Sequence, residues 1–134
     1  MRRIATAALV LVLLAACNRS PTAPDESSRP HGRLSGIVTI GPNCPVEQPN
    51  QPCPTPPSAY TLRKVLVYTP NRSTLLFTVD IDSQGLYSID LIPADYVIDL
   101  KPTGMDRSPD VPANVTIHAN VVTRLDIRID TGLR

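Results

Sequence analysis

Asp80, Asp82, Gln84 and Gly85, in the stretch DIDSQG, stand at positions one, three, five and six of a loop that could wrap calcium in oxygen ligands. Such a loop closes with a bidentate glutamate at position twelve and sits between two helices, whereas position twelve is Leu91 and both flanks alternate like strands. A turn accounts for the same residues more simply: Asp82 opens it, and Gly85 supplies the left-handed backbone that closes a hairpin. Acid–base chemistry has equally little to work with. The chain has two histidines, His31 and His118, and glutamate occurs only at Glu26 and Glu47. A zinc hydrolase centre needs two histidines and a glutamate around an open position, and a Ser/His/Asp set needs a histidine held by a carboxylate. Neither can be assembled when His31 lies in a Ser/Pro-rich stretch. The chain therefore reads as a non-enzyme with no cofactor, no metal site and no catalytic residue.

The thiols carry more information. Cys17 ends MRRIATAALVLVLLAAC, in which two arginines precede an uncharged apolar run over residues 4–14 and two small residues. That is the layout of a secretory signal, and the run is short of the roughly 20 apolar residues that span a bilayer. Leu14-Ala15-Ala16-Cys17 also resembles the lipobox of bacterial lipoproteins. The resemblance implies that residues 1–16 are removed, that the Cys17 thiol is diacylated, and that two or three acyl chains hold the protein to a membrane on its exported face. Removing residues 1–16 takes away Arg2 and Arg3 and no acid, leaving 11 basic against 12 acidic residues, a net charge of −1. Nucleic acid is not an expected partner of such a chain. Cys44 and Cys53, in CPVEQPNQPC, would then reside in an oxidising compartment, without the C-x-x-C spacing or nearby histidine of a metal site. They are expected to form a disulfide.

These groups must be positioned by strands. Residues 17–33 hold no leucine, isoleucine, valine or aromatic residue and read as a lipidated, disordered tether. From residue 34 to 134 the pattern becomes period-two. RLSGIVTI, RKVLVYT, STLLFTVDID, LYSIDLI, DYVIDLK, NVTIHA and TRLDIRID give seven short runs separated by PNRS, DSQG, IPAD and HAN turns. Leu75, Phe77, Val79 and Ile81 share one face, as do Leu125, Ile127 and Ile129. No helical periodicity follows the signal. The expected fold is all-β, a seven-stranded antiparallel Greek-key β-sandwich. Two long loops interrupt it, at residues 41–59 and 102–112. Pro42, Asn43, Pro45, Glu47, Pro49, Asn50 and Pro52 make the first of them the candidate binding loop, stiffened by its prolines and its disulfide.

The spacing Gly36-x-Val38, Val65-x-Val67, Asp82-x-x-Gly85-x-Tyr87, Leu91-x-Pro93 and Tyr96 resembles the carboxypeptidase regulatory-like domains of the prealbumin (transthyretin-like) group. Pro93-Ala94-Asp95 stands where that family usually turns with Pro-Gly. The resemblance implies the sandwich and no defined activity. The expected function is that of a non-catalytic, lipid-anchored envelope module for interaction or structure, its partner an unknown envelope protein. The other expectation is a small-ligand or carbohydrate binder using the long loops, with Tyr60 and Tyr68 as its only outward aromatic residues.

Overall fold

The computed structural model describes residues 29–46 and 50–133. Its elements are β1 (Gly32–Gly41), α1 (Pro57–Thr61), β2 (Lys64–Tyr68), β3 (Leu75–Asp80), β4 (Leu86–Leu91), β5 (Asp95–Leu100), β6 (Ala113–Thr116), β7 (Val122–Arg124) and β8 (Ile127–Asp130). One sheet runs β4-β1 with β7 and β8 on the other side of β1, and the second runs β3-β2-β5-β6. Between the sheets, Leu34, Val38 and Ile40 of β1 meet Val65, Val67 and Ile98, joined by Tyr87, Leu91, Ile127 and Ile129. All are buried, as the alternation requires of residues two apart on one strand. The two buried tyrosines keep their hydroxyls satisfied: Tyr87 donates to the Leu125 carbonyl at 2.5 Å and Tyr96 to that of Ile92 at 2.9 Å.

Five details depart from the reading of the sequence. First, β1 begins at Gly32, two residues before the expected domain start, because Arg33 already pairs with Asp90 on one side and Val122 on the other. Second, TRLDIRID is two strands in one continuous register. The ladder breaks at Leu125-Asp126, where the Asp126 carboxylate accepts the Ile37 amide at 3.0 Å in place of a backbone carbonyl. The Leu125 carbonyl presses on Gly36 so closely that a β-carbon there would collide with it. Third, β7 and β8 run parallel to β1, not antiparallel. Alternation reports which face a side chain takes and is silent on strand direction. Here the chain leaves β6 for the other sheet through a turn at residues 118–121, where an in-sheet hairpin would have reversed it.

Finally, Phe77 is 45 % exposed, although its partner Val67 is fully buried. It lies on the inward face of β3, but β3 is an edge strand. Val79 and Ile81, toward the β3–β4 turn, are covered, while Phe77, toward the β2–β3 turn, is not, and a bulge beyond it sets Leu75 opposite Tyr68, on the other face from Phe77. The short helix α1 also went unread, since five residues opened by Pro57 are too few to display a 3.6-residue period.

Candidate functional site

The two long loops converge at the end of the sandwich where β1 finishes. The first is closed at its base by side chains. Asn43 donates through Nδ2 to the Thr55 hydroxyl at 2.8 Å and the Cys53 carbonyl at 3.1 Å, and Thr55 donates to the Ile40 carbonyl at 3.2 Å. Just beyond, Cys44 and Cys53 are disulfide-bonded with Cα atoms 6.2 Å apart, within the ordinary range. The Thr131 hydroxyl donates to the Pro42 carbonyl, tying the loop to the chain that leaves β8. Of the candidate binding residues, Pro45, Asn50 and Pro52 are exposed, while Pro42 and Asn43 are half-buried and help form the loop's base. Glu47, Pro49 and Cys17 lie outside the described residues.

From this loop the chain enters α1, whose Tyr60 ring packs over the β3–β4 turn. At Gly85, φ is +87°, and an added β-carbon would lie 2.5 Å from the Val38 carbonyl and 2.8 Å from the Tyr60 ring. Only glycine fits there. The Asp82 carboxylate completes the same turn by accepting the amides of Gln84 and Leu86, each at 2.8 Å. Asp80 is engaged by Lys64 at 2.7 Å. Of the aspartates that invited a calcium reading, Asp82 is thus committed to the turn and Asp80 lies on β3 beside Lys64. His118, in the turn before β7, is exposed.

The link between the loops is Arg63. Its guanidinium holds Asp106 in a two-pronged grip, Nε to Oδ2 at 2.6 Å and Nη2 to Oδ1 at 2.9 Å, and donates Nη1 to the Ala59 carbonyl at 2.7 Å. Both side chains are nearly out of solvent, at 12 % and 13 % exposure. The second loop is fixed twice more. Arg107 and Asp130 exchange backbone hydrogen bonds of 2.9 and 2.7 Å, laying the loop along the free edge of β8. Asp110 accepts the Arg128 amide at 2.8 Å and its guanidinium at 2.9 and 3.0 Å. Those side-chain hydrogen bonds, then the amide, hold the Asp110 carboxyl down at about 2.

Among these elements lies a cleft of about 250 Å³, walled by Arg63, Arg72, Asp99, Lys101, Asp106 and Arg107 over an apolar floor. Arg72 reaches it from the β2–β3 turn, bonds Asp99 of β5 and stands 6.0 Å from the centre of the Tyr68 ring. None of these wall residues was marked by the sequence. Arg63 and Asp106 are 43 positions apart, and no local pattern announces a pair assembled by the fold.

No family model matches the chain, and no curated protein matches it. Among solved structures, the fold is similar to a minor pilin of the Gram-positive pathogen Streptococcus agalactiae. The two share 17 % identity and a TM-score of 0.52, over 76 % of this chain and 45 % of that one. Two DUF3823 family proteins also align, from Bacteroides ovatus and Parabacteroides merdae. Each shares 16 % identity and a TM-score of 0.45, over 73 % and 75 % of this chain and 44 % and 46 % of theirs. The chain therefore spans less than half the length of each. The likeness to the pilin is one of fold, a bacterial β-sandwich.

Proposed function

We propose that this chain is a lipid-anchored, non-catalytic module of a bacterial envelope, a carboxypeptidase regulatory-like sandwich that serves interaction or structure. The division of the three cysteines carries the reading. Cys44 and Cys53 are bonded to each other in the folded part, as an oxidising compartment favours. Cys17 is left alone behind a short apolar run, in the sequence Leu-Ala-Ala-Cys. Among the described residues no helix is long and apolar enough to cross a membrane, and in this reading the acyl chains on Cys17 make the attachment. The fold is one that a minor pilin also uses, which agrees with a structural role. So does a site whose aspartates are occupied by arginines, lysine and backbone amides. In this reading the residues from Cys17 up to the start of β1 at Gly32 form the tether, and the partner is another envelope component met by the loop end.

The test is Cys17→Ser in cells fed a radioactive fatty acid. The wild-type chain should carry label and fractionate with membranes, and the variant should do neither. Equal incorporation in both would end the anchor reading.

A further inference from the structure

We propose that the cleft between the two loops binds a small organic monocarboxylate. The walls hold four cations and two anions. Arg63 is matched to Asp106 and Arg72 to Asp99. Lys101 and Arg107 remain, and among the described residues their side chains have no partner. Both leave backbone that is already pinned, Lys101 by its amide to the Lys64 carbonyl at 3.0 Å and Arg107 by its two bonds to Asp130. Two cations without compensation on fixed backbone gain from an anion, and binding has only their side chains left to order.

The rest of the cleft defines the anion's body and charge. Leu100, Pro102, Val111 and Ile129 supply an apolar floor, and Ser108 adds a hydroxyl. The volume is below the roughly 300–1,000 Å³ of sites for drug-sized ligands, so the ligand is a fragment such as a short-chain acid or the last residue of a peptide. Asp99 and Asp106 face the same space but are matched by Arg72 and Arg63, so the net charge is that of Lys101 and Arg107, and the apolar floor favours a carboxylate on an aliphatic body over a bare, strongly hydrated anion such as phosphate. A carboxylate on a short aliphatic body satisfies all three conditions. Nothing in this depends on the lipid anchor, so the two proposals stand or fall separately.

The experiment is a titration of the isotope-labelled full chain with sodium butyrate, followed by amide NMR at about pH 8, where phosphate is a dianion. Sodium chloride and inorganic phosphate at matched ionic strength are the comparison arms. Butyrate should produce saturable shifts at the amides of residues 99–108, and chloride should not. Lys101→Gln and Arg107→Gln should each weaken binding by at least about tenfold, the loss expected for one hydrogen bond to a charged group. Arg124→Gln, an exposed arginine elsewhere, should leave it unchanged. Both cleft substitutions fall on exposed side chains, and circular dichroism would verify that the variants remain folded. Shifts that never saturate, or that survive both substitutions, would overturn the site. Tighter binding of phosphate than of butyrate would overturn its assignment to monocarboxylates.

Discussion

Replacing Arg63 by methionine should unfasten the two loops from each other. The guanidinium makes three hydrogen bonds, two to Asp106 and one to the Ala59 carbonyl. Removing it leaves a carboxylate that is 13 % exposed without its partner. Taking one member from a fully buried pair costs about 3–5 kcal/mol, and the residual exposure of this pair places the expectation at about 2–3 kcal/mol. For a domain of about 100 residues that is a fall in melting temperature of about 10 °C or more, followed by circular dichroism. Asp106→Asn should cost less, since its amide oxygen still accepts one of the two bonds. The double variant Arg63→Met/Asp106→Leu should recover much of the loss, because it leaves no uncompensated charge. Hydrogen exchange should quicken at the amides of Leu62 and Asp106, which now donate to Ser58 and Thr103 within the two loops. A melting temperature unchanged in Arg63→Met, or a double variant as unstable as the sum of the singles, would refute the claim that this pair fastens the loops.

Replacing Cys44 and Cys53 by serine opens a ring of ten residues, for which chain entropy sets a ceiling of roughly 2.7 kcal/mol. The measured loss in urea should be smaller, because Pro45, Pro49 and Pro52 already restrict the unfolded segment and the Asn43–Thr55 hydrogen bonds still close its base. A loss at the full ceiling would contradict this. Asp110→Asn tests the Arg128 contact. A carboxyl lowered from 3.8 to about 2 in the folded state contributes stability that is complete above pH 3.8 and is lost as the pH falls toward 2. The variant should thus be less stable than wild type at neutral pH, and the gap should close in that acid window. A gap that does not vary with pH would mean that the contact is not the cause.

The strands were legible because their period is local. Leu34, Val38, Val65, Val67, Ile98, Ile127 and Ile129 are buried where alternation places them. The fate of Phe77 was not legible, since coverage of an edge strand depends on the width of the opposite sheet. The direction of β7 and β8 was hidden for a related reason: a strand sequence encodes faces, and the path between sheets decides orientation. At the site, the Cys44–Cys53 bond followed from compartment and spacing. Asn43, a candidate recognition residue by sequence, has its amide group occupied with Thr55 and Cys53. The cleft itself was out of reach. Its charges come from positions 63, 72, 99, 101, 106 and 107, and only the meeting of three chain segments puts them together.

The parallel pairing of β8 with β1 also sets how the domain would carry force. Tension entering at Gly32 travels along β1, ten residues or about 33 Å, to the end where the clipped loop and the cleft sit. A pull between Gly32 and the clipped loop is borne by the β1 backbone itself, whereas a pull between Gly32 and the Asp130 end of β8 draws β1 lengthwise past β8 and strains the rungs of that ladder together. A hairpin pulled apart from one end breaks its rungs one after another. Between those two points the parallel pair resists in shear.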